Sequence, residues 1–203
     1  MKILVNKAGK RFNREWIFRN RDIEFHAPNH YAITGHNGSG KSTVVQCIAG
    51  ALHLSEGSIE FEMDGKKVEP EHVFKHISIC APYLEVIEDM TVVEFLDYHA
   101  SFKPFQEGWT TEKIIEEIGL NKATNKRIRN YSSGMKQRVK LAQAFFSNTS
   151  VLLLDEPCTN LDKQGIELYR HLIKTLCKHR LVLIGSNDSI EYESCSAIVS
   201  MSV

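Results

Sequence analysis

The chain has 203 residues, enough for one α/β unit with a large core and an inserted subdomain. Lysine plus arginine and aspartate plus glutamate both number 25, so the chain lacks the overall basic charge expected of a nucleic-acid-binding protein. Scattered cysteines, the absence of any apolar run of membrane-spanning length and the absence of a secretory signal together predict a soluble intracellular chain with free thiols.

Short strands with polar turns are predicted for the first thirty residues. One strand covers residues 2–6, and two more, at 16–18 and 23–25, flank a polar turn at 19–22. A turn at 27–30 then leads into an apolar strand.

A glycine-rich stretch follows that strand, which begins at Tyr31. It matches the phosphate-loop pattern Gly-x4-Gly-Lys-Ser/Thr in full, with the residues Gly35, His36, Asn37, Gly38, Ser39, Gly40, Lys41, Ser42 and Thr43. Backbone N–H groups of such a loop and of the next helix cradle a polyphosphate, because small residues let it approach closely. Lys41 would then place its charge on the outer phosphates, and Ser42 would bind Mg²⁺. An ordinary glycine loop is the alternative, and the apolar strand and helix around the motif argue against it.

Two aromatic residues upstream of the loop are candidates for a further contact. Phe12 or Trp16 could stack on a nucleotide base, an arrangement worth about 1 kcal/mol beyond burial. Either ring could equally be an ordinary core or surface aromatic.

The middle of the chain changes from strands to helices. Residues 54–63 are predicted to form a turn and a strand that enters a hairpin at 64–65, and residues 76–81 form an apolar strand. Three helices follow without an intervening strand, at residues 91–100, 110–118 and 132–146, the first with a capping box of Thr91 and Glu94. This run predicts a helical subdomain inserted into the sheet.

Alternation of strands and helices resumes after the three helices. Strands are predicted at 151–154 and 181–184, a helix at 165–179 and an edge strand at 197–203. Such alternation is typical of a parallel sheet with crossover helices.

Two carboxylates directly follow the strand at 151–154. Ligands of α/β sheets bind at the carboxyl ends of strands, so Asp155 would hold Mg²⁺ and Glu156 could polarise the water that attacks a γ-phosphate. The alternative, that both are merely the polar end of a strand, is disfavoured by the phosphate loop upstream.

The third predicted helix opens with Tyr131-Ser-Ser-Gly-Met135. Serines and a glycine at a helix start form a second possible anion site, although alone they would indicate only a helix N-cap. A second phosphate-binding element so far from the first indicates a nucleotide held between two copies of the domain.

In this order and spacing the motifs resemble those of the ATP-binding subunit of an ATP-binding-cassette (ABC) transporter. Walker A is residues 35–43, the signature is 131–135, Walker B is 151–155 and the D-loop is 158–162. The resemblance implies a P-loop NTPase fold of class α/β, with a mostly parallel sheet, flanking helices, an N-terminal antiparallel β subdomain and an inserted helical subdomain. It predicts a single domain over 1–203, with residues 1–81 and 148–203 as the core and 82–147 as the helical subdomain.

The resemblance also implies a role for individual residues. Those that would bind nucleotide are Phe12 and the loop residues Gly35 to Thr43; those that would bind Mg²⁺ are Ser42 and Asp155; those that would catalyse are Glu156, Lys41 and Asn187. The residues that would face the ATP of a partner are Ser132, Ser133, Gly134 and Met135, and the D-loop residues are Asn160, Leu161 and Asp162.

The partners implied are a second cassette, in a homodimer or heterodimer, and an integral membrane subunit in a separate chain. The expected location is cytoplasmic, at the inner face of the membrane, with no nucleic acid bound. Two alternatives stay open: a hydrolysis-impaired regulatory cassette and a soluble ABC ATPase that does not transport.

Two positions depart from the family pattern. The segment Ala81-Pro82-Tyr83 lacks the glutamine that reaches Mg²⁺ and water, and Asn187 stands where the family has a histidine on the γ-phosphate. We therefore predict a slow ATPase, because a neutral amide cannot supply positive charge to the transition state. The segment 83–87 either docks a membrane partner or packs under the helical subdomain.

Overall fold

The computed structural model describes residues 1–201 and is α/β. The strands are β1 Lys2–Phe12, β2 Glu15–His26, β3 His30–Thr34, β4 Glu56–Met63, β5 Lys66–Lys67, β6 Ile77–Cys80, β7 Val151–Asp155, β8 Leu181–Gly185 and β9 Ala197–Ser200. The α-helices are α1 Lys41–Ile48, α2 Val92–Phe102, α3 Thr111–Glu117, α4 Ser133–Phe146, α5 Lys163–Leu176 and α6 Ser189–Tyr192. Short 3₁₀ turns cover Pro70–His76, Asn121–Ala123 and Ile128–Asn130.

These elements form two compact units. The first contains Met1–Ile79, Thr149–Glu156 and the described residues from His179 onward. The second contains Cys80–Asn148 and Pro157–Lys178. The subdomain boundaries drawn from the sequence, at residues 82 and 147, stay a prediction.

An antiparallel sheet with strand order β2-β1-β4-β5 belongs to the first unit. The sequence predicted two strands at 16–18 and 23–25, and this was wrong, because β2 is continuous from Glu15 to His26. Strand β1 pairs with it as far as Phe12, with irregular register. The Lys7 amide donates to Asp22 Oδ1 at 2.8 Å and so ties the supposed turn to β1. Polar residues are compatible with this strand because one face of an antiparallel sheet can meet water.

The second sheet has strand order β6-β7-β8-β3-β9. Its parallel strands, together with the α-helices, confirm the predicted α/β fold class. All residues of β7 and β8 are buried, as their continuous apolar sequences indicate. Parallel pairing puts Asp155 beside Gly185 and Ile33 beside Gly185 on the other side. The carboxyl ends of β3, β7 and β8 therefore meet at one edge of the sheet. Strand β9 is the predicted edge strand, although residues 202 and 203 lie outside the described residues.

The predicted helix starts are confirmed by their caps. Thr91 and Glu94 form the complete capping box of α2. Thr110 caps α3, and Ser132 caps α4 by accepting a hydrogen bond from the Met135 amide. Helix α6 was not predicted. None of the helices within residues 1–201 combines the length and apolarity that a membrane span requires.

Candidate functional site

The phosphate loop joins β3 to α1 and requires glycine at two positions. Gly35 and Gly40 have φ values of 150° and 96°, where side chains other than hydrogen are strained. A Cβ at Gly35 would lie 2.5 Å from Ser39 Oγ, and one at Gly40 would lie 2.7 Å from Ile17 Cγ2. The loop backbone can therefore take this path only with glycine at both positions.

Lys41 is buried inside this loop, with 5% of its surface exposed. Its Nζ donates to the carbonyl oxygens of Gly35 at 2.7 Å and of His36 at 3.2 Å. The ammonium group is thus held at the centre of the loop, where a bound polyphosphate would lie. The role of Lys41 in binding the outer phosphates stays a prediction.

Asp155 is the last residue of β7, 1% exposed, and lies near α1. Burial is the main cause that raises the pKa of its carboxyl to about 6, and the nearby charge of Glu156 raises the pKa further. A hydrogen bond from Ser42 and the charge of Lys41 lower the pKa and so oppose this shift. One oxygen, Oδ1, has no hydrogen-bond partner. A buried carboxylate with a free oxygen beside a serine hydroxyl fits the oxygen ligand set of Mg²⁺.

Asn187 lies directly against the phosphate loop. Its Oδ1 accepts a hydrogen bond from the Gly35 amide at 3.2 Å, and its Nδ2 donates to Asn37 Oδ1 at 3.3 Å. The residue that the sequence aligned with the family histidine is therefore next to the phosphate loop.

Glu156 follows Asp155 in a left-handed conformation, with φ of 43°. Its amide donates to the carbonyl of Gly185 at 3.0 Å, and its side chain is exposed. The backbone is therefore fixed to β8, and the carboxylate is accessible to water and to a ligand.

The two candidate aromatic residues have different surroundings. Trp16 has the guanidinium of Arg11 5.6 Å from its ring centroid and that of Arg19 at 4.5 Å. The Phe12 ring, at the end of β1, is 46% exposed and has only Lys10 Nζ above it, at 4.9 Å, among the described cation–π contacts. Phe12 therefore has the more accessible ring for stacking on a base.

The signature residues lie in the second unit, where they start helix α4. Ser132 is the N-cap and Ser133 is exposed, whereas Tyr131 is buried and donates from its hydroxyl to the Ala123 carbonyl at 2.8 Å. A Cβ at Gly134 would lie 3.1 Å from the Asn160 carbonyl oxygen, so the signature backbone approaches the D-loop closely. The tyrosine is therefore anchored in the unit, and the two serines that follow it are exposed.

The D-loop and Pro157, which precedes it, are each tied to the same helix by one contact. Asp162 caps α5 by accepting from the Gly165 amide at 2.8 Å and pairs with Arg138 at 3.2 Å. Gln137, which the sequence analysis missed, is buried and donates to the Pro157 carbonyl at 2.7 Å. Its only sequence signal was a polar residue on the inner face of a predicted helix, a pattern too common to single it out.

The segment 83–87, for which the sequence left docking and packing open, has both buried and exposed apolar side chains. Val86 is buried at 6% exposure, so it packs inside the second unit. Tyr83 and Ile87 are 41% and 42% exposed. They are therefore the two large apolar side chains of this segment that are exposed.

A glycine-dependent phosphate loop at the carboxyl edge of a parallel sheet, with a buried lysine and a buried aspartate, defines a P-loop nucleotide-binding protein. The family model described as ABC transporter matches residues 18–159. The chain belongs to the ABC transporter family.

Individual relatives agree with this assignment. The chain is 33% identical over 187 residues to the ABC transporter ATP-binding protein YxlF of Bacillus subtilis, covering 89% of this chain and 62% of YxlF. It is 30% identical to the cytochrome c biogenesis ATP-binding export protein CcmA of Xylella fastidiosa, covering 70% of this chain and 63% of CcmA. The chain thus spans less than two thirds of the length of either relative.

Solved structures show the same fold. A dimeric ATP-binding cassette in a post-hydrolysis state, bound to ADP and Pi, superposes with a TM-score of 0.83 at 20% identity, covering 98% of this chain and 93% of that chain. A putative ABC transporter ATP-binding protein from Pyrococcus furiosus gives a TM-score of 0.81 at 19% identity, covering 99% and 98%.

Proposed function

We propose that this chain is the ATP-binding and ATP-hydrolysing subunit of an ABC transporter, acting with ATP and Mg²⁺. One observation carries the proposal: the same chain holds a complete phosphate loop around buried Lys41 and a helix that begins with the signature residues 131–135. Many unrelated NTPases have the first feature. The second is the one that indicates a cassette working with a second cassette.

The phosphate loop would bind the phosphates of ATP, and Phe12 would stack on its base. Loop amides and the first turn of α1 offer N–H donors, and Lys41 adds a buried positive charge. The ammonium needs only to exchange its bonds to the Gly35 and His36 carbonyls for phosphate oxygens. Binding therefore requires little rearrangement of the loop.

Hydrolysis would depend on the carboxylates that follow β7. Mg²⁺, held by the Ser42 hydroxyl and Asp155, would neutralise charge on the outer phosphates. Glu156 would orient the attacking water and accept its proton. The hydrogen bond from the Glu156 amide to Gly185 supports this role, because it fixes the backbone of the base.

Dimerisation would place the signature of one cassette on the ATP of the other. Ser132, Ser133 and Gly134 would contribute hydroxyl and amide donors, with Met135 and the D-loop residues 160–162 beside them. ATP that is contacted from both sides has a higher affinity for the closed dimer than for the open one, and this difference drives closure. The second cassette would be another copy of this chain or a different ABC ATPase subunit.

Dimerisation of a hydrolysis-deficient variant tests this function. Glu156→Gln with MgATP should convert from monomer to dimer in analytical ultracentrifugation, because ATP stays in place. Adding Lys41→Ala to the same variant should keep it monomeric, since the phosphates are no longer held. A Glu156→Gln protein that remains monomeric at saturating MgATP would contradict the proposal.

We further propose that hydrolysis is slow. Asn187 is neutral, and its amide is hydrogen-bonded to the loop through Gly35 and Asn37. It can stabilise the loop but cannot bring positive charge to the γ-phosphate. The segment 81–83 contains no glutamine that could take over the positioning of water.

The membrane partner would be an integral membrane subunit in a separate chain, docked on Tyr83 and Ile87. Their exposed apolar surfaces support this proposal, and burial of Val86 fixes the backbone between them. The cassette would then lie in the cytoplasm, at the inner face of the membrane. Co-purification with this chain, and its loss with Tyr83→Ala, would identify the partner.

A further inference from the structure

Charge is distributed unevenly within the second unit. Residues 118–148 contain no aspartate or glutamate. The basic residues of this segment are Lys122, Lys126, Arg127, Arg129, Lys136, Arg138 and Lys140. A formally neutral chain therefore concentrates positive charge in the segment that contains the signature.

Most of these cations have a partner within the same unit. The contacts are Arg127 and Arg129 with Asp89, Lys136 with Glu88, Arg138 with Asp162, and Lys140 with the Pro82 carbonyl. Lys122 and Lys126 differ, because neither forms an ion pair with any other residue in the described range 1–201. Both side chains are exposed.

Both lysines line one cavity of about 550 Å³ in the second unit. Its wall also includes the signature residues Ser132, Ser133 and Gly134. A ligand that reaches the signature through this cavity meets the two ammonium groups as well. The lining combines ammonium, guanidinium and hydroxyl donors with the carboxylate of Asp162, which is paired with the Arg138 guanidinium at 3.2 Å. The charge left for a ligand is therefore that of the two ammonium groups, and it suits a polyphosphate.

We infer that Lys122 and Lys126 supply positive charge to the polyphosphate of ATP bound in the phosphate loop of a second copy of this chain. The inference rests on the proposed function, which brings the signature of one copy to the ATP of the other. The two lysines would add to the positive charge that Lys41 places on the phosphates from the nucleotide's own subunit. Asn187 in the nucleotide's own subunit is neutral, and so is every residue of the signature 131–135.

The charges of Lys122 and Lys126 should attract the ATP of the second copy before the two copies touch as well as after they have docked. Exposed charges attract a polyanion over roughly one Debye length, about 8 Å at physiological ionic strength. Dimer closure then removes water from the cavity, and this strengthens the attraction between ammonium and phosphate. ATP-dependent association should therefore be fast and strongly dependent on salt.

The test uses the full-length Glu156→Gln protein with MgATP, studied by analytical ultracentrifugation at low and high NaCl concentration. Lys122→Gln with Lys126→Gln removes both charges while keeping a polar, hydrogen-bonding side chain at each position. We expect the dimer dissociation constant at low salt to rise by roughly 10- to 100-fold, and the difference to shrink at high salt. Thermal melting without nucleotide checks that both proteins are equally folded.

Two matched variants sharpen the result. Lys174→Gln with Lys178→Gln removes two exposed charges from the same unit, outside the cavity, and should dimerise like the parent. Lys122→Arg with Lys126→Arg keeps the charge and should restore dimerisation.

Three outcomes would overturn the inference. Equal dimerisation of the Lys122/Lys126 glutamine variant and its parent would overturn it while leaving the proposed function intact. An equal loss in the Lys174/Lys178 variant would assign the effect to general charge. A parent that never dimerises would overturn both the inference and the proposed dimer.

Discussion

The phosphate loop and the signature end of α4 are both candidate anion sites, yet they are built in opposite ways. In the loop, Lys41 is buried and hydrogen-bonded to backbone carbonyls, and two glycines fix the chain path. At the signature end, Lys122 and Lys126 are exposed and have no ion-pair partner among residues 1–201. Under the proposed function, the first site would bind phosphate by itself, whereas the second would need a ligand delivered by a partner.

The largest expected effect concerns Asn187, whose neutral amide contacts the phosphate loop. Asn187→His should raise ATP turnover by about 10- to 100-fold, because a single electrostatic contact to the transition state is commonly worth 10²–10³ in rate. ATP affinity should change little, since Lys41 and the loop amides are unaltered. Steady-state ATPase assays and ATP titrations measure the two quantities.

Asn187→Gln is the matched control for that substitution, because it keeps a neutral amide and should give no increase. If the wild type already turned over ATP as fast as the Asn187→His variant, the phosphate loop would need no additional positive charge for hydrolysis. The proposal of slow hydrolysis would then be wrong.

The next effect is on the free energy of unfolding, and it tests how much the burial of the Asp155 carboxylate destabilises the folded protein. Without metal or nucleotide, Asp155→Asn should raise the free energy of unfolding at pH 7.5 by about 3 kcal/mol, since the carboxyl pKa rises from 3.8 to about 6 on folding. A raised folded-state pKa means that stability is lost as pH increases from about 4 to above 6. The gain should therefore shrink on acidification to pH 5. Urea unfolding at several pH values measures it.

Asp64→Asn, in the exposed β4–β5 turn, is the control for removal of a carboxylate and should change stability by less than about 0.5 kcal/mol. A gain for Asp155→Asn that does not vary with pH would contradict the role of burial. The same variant should also lose most of the thermal stabilisation that MgATP confers on the wild type.

The smallest effect distinguishes two roles of the signature serines, capping helix α4 and contacting a ligand. Ser132→Ala should cost about 1 kcal/mol of stability, because Ser132 accepts the Met135 amide hydrogen bond as N-cap of α4. Ser133→Ala should cost less than about 0.5 kcal/mol, since its side chain is exposed. Both should weaken ATP-dependent dimerisation in the Glu156→Gln protein. If Ser133→Ala left dimerisation unchanged, the Ser133 hydroxyl would not contact the ATP bound to the second cassette.

Local signals predicted much of the fold. The capping box of Thr91 and Glu94 and the N-cap at Ser132 each depend on residues within a single helical turn, so they can be found without knowing the rest of the molecule. The apolar sequences of β7 and β8 likewise indicate burial on both faces.

Features that depend on contacts between residues far apart in the chain could not be predicted from the sequence. Strand β2 is continuous because it pairs with β1 along its length, and Asp22 also accepts a hydrogen bond from the Lys7 amide, fifteen residues earlier. Its polar residues locally suggest a turn. Val86 and Tyr83 belong to the same short apolar segment, but packing buries only the first.

The amino-acid sequence by itself determined the phosphate loop, the signature and the α/β class, because each is encoded by residue types at short, set spacings. Only the tertiary structure decided the surroundings of these motifs. Asn187 lies against Gly35, one oxygen of the Asp155 carboxylate is unsatisfied, and two lysines with no ion-pair partner among residues 1–201 line the signature cavity. Those arrangements depend on how distant segments pack, and packing is a property of the whole chain that no local pattern contains.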